Sequence, residues 1–295
     1  MSKAEDQTPR ELIIEERITH ASKAIPRLQD TILTKIAENI DLRDCVWNNV
    51  GAKKIEIKSA NFSYGLLEDC YFHNVTFLDC NFTGCRFIRC NLPTSSFVRC
   101  DLQYANFEKT QVERTSILQN KPERPNVARE LFRNLRTNAI GIGNRDDANA
   151  YIDAEIKANS EFLRRAVFNL EPYYERKYPF WPHKPKLLIK YAFNWVSRLF
   201  WGHGESFWKL VFTSITICLF ISTSDWLTNG TLKQADRPYI NDLIEHIGHG
   251  FDAWLNLGIS GGGHLSSWAS VILTLLRYVS LGLAFSILYR RNSYR

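Results

Sequence analysis

The sequence predicts an α+β protein in which a β-solenoid is followed by helices, two of which are long enough to cross a membrane. Large apolar residues recur every five residues between Leu42 and Ile117. This spacing fits neither the helix period of about 3.6 residues nor the strand period of about 2. It therefore indicates a repeat whose backbone turns a corner in every pentad. Two apolar stretches, Phe207 to Thr223 and Trp268 to Tyr289, predict the membrane-spanning helices.

Each pentad is predicted to direct one large and one small side chain into the core of the solenoid. The large position runs through sixteen consecutive pentads, and only Ala52 is small there. The small position lies two residues earlier and holds six of the seven cysteines. The residues that define this core best are Phe62, Phe72, Phe77, Phe82, Phe87, Phe97, Cys80, Cys85, Cys90 and Cys100. Because a free cysteine behaves as a small buried hydrophobe, we expect no metal or redox role for these thiols.

The repeat resembles the pentapeptide-repeat family in segments such as Asn61-Phe62, Asn81-Phe82 and Asn106-Phe107. The resemblance covers residues 40 to 118. In that family four pentads form one coil of a right-handed quadrilateral solenoid, so the resemblance implies about four coils, with a column height of about 19 Å at strand spacing. Stacked coils would bring Cys80 beside Cys100, at a spacing that also permits a disulfide.

The charge of the repeat gives no support for a nucleic-acid partner. Some soluble pentapeptide-repeat proteins imitate DNA through an acidic surface. Residues 40 to 118 contain nine acidic and nine basic residues, so their net charge is zero. A neutral surface favours neither DNA mimicry nor DNA binding.

The repeat, assigned to residues 40–120, is predicted to lie between two helical segments. Residues 1–39 are predicted to form a helical cap over the first coil, because an open coil end exposes strand edges and apolar core. Residues 121–182 are predicted to form a helical hairpin that connects the solenoid to the membrane region. Its Gly-Asn-Arg-Asp-Asp-Ala turn, which begins at Gly143, resembles the connector of membrane-bound pentapeptide proteins. A plain spacer and a partner-binding element both remain open for this hairpin.

The C-terminal part of the chain is predicted to be embedded in a lipid bilayer. Residues 183–205 are predicted to form an amphipathic helix in the membrane interface, with buried domain core as the alternative. Residues 206–295 are predicted to form a module with two spans. Basic residues flank both spans, whereas the loop between them is mainly acidic. The positive-inside rule therefore predicts that both termini and the solenoid are cytoplasmic.

The loop between the spans indicates a pore-like module. Ile247 to Leu257 is amphipathic but too short to span, and a glycine-rich segment follows it. A span, a short re-entrant helix, a glycine-rich segment and a second span form the layout of two-helix cation channels. Some pentapeptide-repeat proteins end in a similar module. The Thr-Val-Gly-Tyr-Gly filter is absent, so the layout indicates no particular ion, and an ordinary extracellular loop is the alternative.

The candidate pore residues are Gly258, Ser260, Gly261, Gly262, Gly263 and Arg277. The glycines would permit a narrow backbone constriction. Arg277 lies near the middle of the second span, where a charge should face a cavity, a carboxylate or a subunit interface instead of lipid. The alternative is that the helix extends above the bilayer and places Arg277 near the outer headgroups.

Two classes of function remain open from the sequence. The first is a homo-oligomeric, ion-channel-like pore with a cytosolic sensing or assembly solenoid, including a membrane-disrupting version of it. The second is a membrane-tethered scaffold whose solenoid recruits a cytosolic protein partner. Catalysis is not expected, because no nucleophile and base can be paired. No cofactor or metal is expected either, since His246 and His249 are the only metal-like pair and no cysteine accompanies them.

Overall fold

The computed structural model describes residues 10–14, 27–36, 38–200, 202, 206–229, 239–258 and 265–293. The chain divides into two compact units, Met1–Tyr178 and Pro179–Arg295. Within the described residues, the first unit contains twelve strands and four helices, and the second contains four helices.

The strands are short because the chain turns after every pentad. Their bounds are β1 Arg10–Ile14, β2 Arg27–Ile36, β3 Val46–Lys53, β4 Glu56–Lys58, β5 Leu66–Glu68, β6 Tyr71–His73, β7 Thr76–Leu78, β8 Arg86–Ile88, β9 Asn91–Leu92, β10 Ser96–Val98, β11 Asn106–Glu108 and β12 Gln111–Val112. The helices are α1 Arg114–Gln119, α2 Pro125–Gly141, α3 Arg145–Phe168, α4 Pro172–Lys177, α5 Phe180–Phe200, α6 Phe207–Asn229, α7 Tyr239–Leu255 and α8 Ser267–Ser293.

Successive coils pair as parallel strands with a shift of twenty residues, which is four pentads. Phe97 pairs with Phe77, Phe107 with Phe87, and Val112 with Leu92. The strands form two sheets. Strands β3 to β12 follow the orders β11-β8-β5-β3-β6-β9-β12 and β10-β7-β4, and β1 and β2 join the first sheet through β3. Bridges between Asp41, Asn61, Asn81 and Asp101 form a further side. This pattern confirms the predicted α+β fold with a parallel β-solenoid of about four turns followed by helices.

The core of the solenoid is a set of stacked aromatic columns. All ten core residues that the repeat predicts are buried. The rings of Phe62 and Phe82 stack at 5.0 Å, and those of Phe87 and Phe107 at 4.8 Å. Phe77 meets the edge of Phe82 at 5.2 Å and an angle of 86°. Stacked and edge-to-face contacts are the two arrangements that aromatic rings prefer.

The side chains at the small core position also form hydrogen bonds. Its thiols donate hydrogen bonds to backbone carbonyls of the preceding coil: Cys90 Sγ lies 3.3 Å from the Leu67 oxygen, and Cys100 Sγ lies 3.3 Å from that of Phe77. Ser95 and Thr110 donate in the same way where they replace cysteine. All the cysteines are free. Burial raises the pKa of the Cys45 thiol to about 12, so this thiol keeps its proton at neutral pH.

The corners of the coils have left-handed backbone conformations. Tyr64, Gly84 and Tyr104 occupy one corner in successive coils, with φ of 60°, 68° and 57°. A Cβ atom at Gly84 would lie 2.8 Å from the ring of Tyr64, so the close approach requires glycine there.

The predicted helical cap over residues 1–39 is wrong wherever the structure describes that segment. Residues 10–14 and 27–36 form the parallel strands β1 and β2, and β2 extends the solenoid by pairing with β3. Leu28 pairs with Trp47 and Leu33 with Ala52, so the shift is nineteen residues instead of twenty. Because this coil is one residue shorter than four pentads, its core residues do not follow the five-residue spacing of the later coils. Residues 1–9, 15–26 and 37 of the predicted cap lie outside the described residues.

The hairpin after the repeat closes the other end of the solenoid. Leu131 and Leu135 of α2 belong to the same buried cluster as the phenylalanine columns. The last predicted pentad, at Ile117, lies in α1 instead of a strand, but its side chain is buried. The hairpin turns at Asn144, whose side chain accepts a hydrogen bond from the Asp147 amide and caps α3.

Asparagine side chains pair with the last strand edge in place of another coil. The Asn138 side chain accepts from the Thr110 amide at 2.9 Å and donates to the Thr110 carbonyl at 2.7 Å. Asn134 makes the same two bonds with Phe107. Asn120 accepts from the Cys100 amide and donates to the Phe97 carbonyl. These side-chain amides satisfy backbone groups that would otherwise be buried without partners.

Removal of one core ring should strongly destabilise the solenoid. Phe82→Ala leaves a cavity between two coils, and we expect the free energy of unfolding to fall by about 3–5 kcal/mol. Urea unfolding of the detergent-solubilised protein measures this loss. Thr83→Ala, at the partly exposed neighbouring position, should change the value by less than about 0.5 kcal/mol. Equal losses in both variants would contradict the register.

Because the Asn138 side chain pairs with a strand edge, replacing it by an apolar residue of similar size should lower the free energy of unfolding. Asn138→Leu keeps the position filled but leaves the Thr110 amide and carbonyl unpaired, so we expect a loss of at least about 2 kcal/mol in urea unfolding. Thr137→Ala, on the exposed side of the same helix, is the control and should be close to neutral. A neutral Asn138→Leu variant would show that the edge needs no polar cap.

Candidate functional site

The candidate site is the second unit, where two helices are long and apolar enough to cross a membrane. In the part of the chain that the structure describes, these are Phe207–Thr228 in α6 and Ser267–Tyr289 in α8. The shorter helix α7 packs against both of them. Cys218 and Ile221 of α6 form a buried cluster with Ala269 and Leu273 of α8, and Phe251 and Trp254 of α7 pack on it.

A close contact between backbone and side chain joins α7 to α6. Gly250 is buried, and a Cβ atom built on it would overlap the Ser222 hydroxyl. Ser222 is itself buried and donates to the carbonyl of Cys218 within its own helix. The helices can therefore approach this closely only because residue 250 has no side chain.

A buried carboxylate joins the end of α6 to the start of α8. Asp225 is 0% exposed and accepts hydrogen bonds from the backbone amide and the hydroxyl of Ser266. Ser266 stands immediately before α8, where the first backbone amides lack partners within the helix. Near this junction, Trp226 of α6 donates to the Asp242 carboxylate of α7 at 2.8 Å. These two carboxylates therefore link the three helices.

Sequence reasoning missed this junction because it assigned Asp225 and Asp242 to an acidic loop. The structure places both in helices, since α6 continues to Asn229 and α7 already begins at Tyr239. A possible signal was the helical spacing of Cys218, Ser222 and Asp225, which places a small polar face on an apolar helix.

The structure describes only two of the candidate pore residues. Gly258 follows α7 with φ of 70°, and no atom lies within 4 Å of a Cβ built on it. Ser260, Gly261, Gly262 and Gly263 lie outside the described residues. Arg277 is partly exposed in α8, and its guanidinium lies 4.8 Å from the centre of the Tyr278 ring. The re-entrant helix predicted over Ile247 to Leu257 is the C-terminal part of the longer helix α7, which ends at Leu255.

The histidine pair lies on α7. His246 is buried, and its Nε2 atom has no hydrogen-bond partner among the described residues. His249 Nε2 lies 3.8 Å from a Glu245 oxygen one turn earlier. Among the described residues, no three His, Cys, Asp or Glu side chains are grouped in a way that could hold a metal ion.

Helix α5 presents a largely exposed apolar face. Its exposed side chains include Leu188, Ile189, Phe193, Trp195 and Leu199. This exposure does not fit the alternative of a buried core helix. The helix begins before the predicted residue 183 and contains Pro185.

The side of the solenoid carries ion pairs between stacked coils. Arg89 binds Asp69 at 2.7 Å and Glu68 at 2.7 Å, and Arg99 binds Asp79 at 2.6 Å. Hydrogen bonds from the arginines lower the pKa values of the Asp69 and Asp79 carboxyls. Because these pairs are exposed to solvent, they contribute little to stability. They neutralise the charge of this side in agreement with the neutral composition of the repeat.

A cavity of about 350 Å³ lies where the last coil meets the hairpin. Arg114 and Asp147 form an ion pair at 3.1 Å on its wall. Tyr151 also lines it, is 1% exposed, and has a hydroxyl without a hydrogen-bond partner among the described residues. Burial raises the pKa of Tyr151 above its ordinary value, and burial likewise raises the pKa of Asp147.

Comparison with known families identifies the repeat but not the helices. Residues 57–92 and 80–117 match the family described as pentapeptide repeats, with eight copies. The coils within residues 57–117 are therefore built from pentapeptide repeats. No curated protein matches the chain. The family match ends at residue 117, before the hairpin and the second unit.

The contact between α7 and α6 predicts different effects at two glycines of the same helix. Gly250→Ala should lower the melting temperature of the detergent-solubilised protein, because the new methyl group meets the Ser222 side chain. Gly248→Ala is the matched control, since nothing lies within 4 Å of a Cβ at that position. Alanine favours helix by about 1 kcal/mol over glycine, so the control should be neutral or stabilising.

A second substitution separates the steric effect from helix propensity. Ser222→Gly removes the side chain that the new methyl group meets, so it should restore part of the stability that Gly250→Ala loses. Additive losses in the double variant would contradict the contact.

Proposed function

We propose that this protein is a non-catalytic membrane protein in which several copies of the second unit surround an ion-conducting pore. In this proposal the solenoid is a cytosolic domain for sensing or assembly. The observation that carries the proposal is that α7 packs against both apolar helices and meets α6 closely at Gly250, while the Asp225 carboxylate joins α6 to α8. In two-helix channels, a short helix that enters the membrane from one side lies between the two spans.

The outer faces of the long helices support a membrane environment. Only 33% of the span window in α6 and 11% of that in α8 are buried within the chain. Large apolar side chains such as Phe220, Leu275 and Phe285 are exposed. A core helix of a soluble protein would bury such residues. Lipid or further copies of the chain would cover these faces.

Arg277 supports an assembly of several copies. Two spanning helices are too few to enclose a water-filled path, so a pore requires several chains. An arginine that faces lipid near the middle of a span costs roughly 2.5–3.5 kcal/mol on insertion scales. Within the described residues its guanidinium lies over the ring of the neighbouring Tyr278 and donates a hydrogen bond to the Tyr278 hydroxyl at 3.2 Å. A subunit interface or a watery path would hydrate or pair the charge.

Conductance in planar bilayers tests the proposal. Purified protein should conduct ions, and Arg277→Gln should shift the reversal potential in a salt gradient towards the potential for cations. The reason is that a positive charge beside a narrow path repels cations and attracts anions. Lys190→Gln removes an equal charge from the exposed surface of α5 and should leave the reversal potential unchanged.

Two results would count against the pore. Protein that is oligomeric in detergent but electrically silent under voltage, stretch and pH steps would favour the membrane-tethered scaffold. A monomer in detergent and in nanodiscs would oppose a pore of two-helix subunits altogether. Conductance that is unaffected by Arg277→Gln would move the path away from this residue without excluding a channel.

A further inference from the structure

A groove of about 680 Å³ separates the end of α5 from the start of α6. Its walls include the aromatic side chains Trp195, Trp208 and Phe212. Trp208 is 78% exposed and Phe212 is 74% exposed, so these rings have little cover from the rest of the chain. Two cationic side chains, Arg198 of α5 and Lys209 of α6, line the same groove.

A hydrogen bond joins the two helices beside the groove, and one of the cations lies close to Gly202. Thr213 donates a hydrogen bond from its hydroxyl to the Phe200 carbonyl at 3.0 Å, which fixes the end of α5 against α6. Gly202, between the helices, has φ of 57°. A Cβ atom there would lie 3.3 Å from Cδ of Lys209 and 3.7 Å from its Nζ. The lysine side chain therefore extends across the turn towards the end of α5.

The charge around the groove is strongly positive. From Pro179 to Ser224 the sequence contains five lysines and arginines and one acidic residue, Glu205. An occupant should therefore combine a negative group with a long apolar part. A free phosphate would leave the aromatic wall uncovered, and another copy of this chain, whose net charge is +6, would bring no general electrostatic attraction.

We infer that the groove binds one anionic glycerophospholipid. The phosphate oxygens accept hydrogen bonds from Arg198 and Lys209, and an acyl chain lies along Trp208 and Phe212. Tryptophan favours the level of the lipid headgroups, where its ring is half in water and half in hydrocarbon. Basic pockets beside membrane helices recognise anionic headgroups by this combination of charge and apolar contact. The inference rests on the proposed membrane placement of α6, but it requires no pore.

Native mass spectrometry of the full chain in detergent tests the inference with phosphatidylglycerol and phosphatidylcholine as probes. The protein should retain phosphatidylglycerol preferentially, as a one-to-one adduct. In the double variant R198Q/K209Q the affinity should fall about 30-fold, since one basic residue near an anionic headgroup contributes about fivefold. The variant K186Q/K190Q loses the same charge from α5 outside the groove and should keep the adduct.

Each other outcome overturns the inference. Equal losses in both double variants would indicate general electrostatic attraction, and an equal affinity for phosphatidylcholine would remove the role of charge. Inorganic phosphate that displaces the lipid at equal concentration would make the site a phosphate site. A change of oligomeric state in R198Q/K209Q, without loss of lipid, would assign the groove to a subunit contact. Alkaline extraction of membranes separately tests whether α6 is embedded in the membrane. Release of the protein by this treatment would contradict the proposed function itself.

Discussion

The hydrogen bonds between successive coils are the constraint on which the rest of the first unit depends. From β3 onwards each coil pairs with the coil twenty residues away, so every coil needs a neighbour on both sides. An unpaired edge would bury polar backbone groups or expose them to another chain. At one end β1 and β2 continue the pairing, and at the other Asn134 and Asn138 imitate it. The hairpin is therefore part of the solenoid and not only a connection to the second unit.

The core of the solenoid could be predicted because one physical requirement recurs in every pentad. Phe82 stacks on Phe62, which holds the equivalent position one coil earlier, and it also meets Phe97 of a different column in a T-shaped contact. Each pentad therefore needs a large apolar side chain at the same position. The first strands escaped prediction because a shift of nineteen residues takes Leu28 and Leu33 out of phase. Their β-branched neighbours Thr31, Ile32 and Thr34 were the available sign of a strand.

The roles of residues that do not belong to a repeat were harder to predict from the sequence. Asn138 reads as an ordinary polar residue of an amphipathic helix until the unpaired edge at Thr110 is known. Asp225 reads as a loop charge until its carboxylate is seen at the start of α8. Neither residue recurs at a fixed spacing, so periodicity carries no information about them. The layout of two spans around a shorter helix was readable from hydropathy and length, whereas the close approach at Gly250 depends on the partner side chain at Ser222.

The asparagine cap has a consequence for the order in which the chain is synthesised. Asn138 lies 28 residues after Thr110, the residue whose backbone it pairs. A ribosome adds about 5–20 residues per second, so the last coil emerges a few seconds before its cap. During that interval the nascent solenoid presents an open parallel edge, to which a coil from a neighbouring ribosome on the same message can add. Co-translational chaperones that shield this edge would therefore be expected to raise the yield of folded protein.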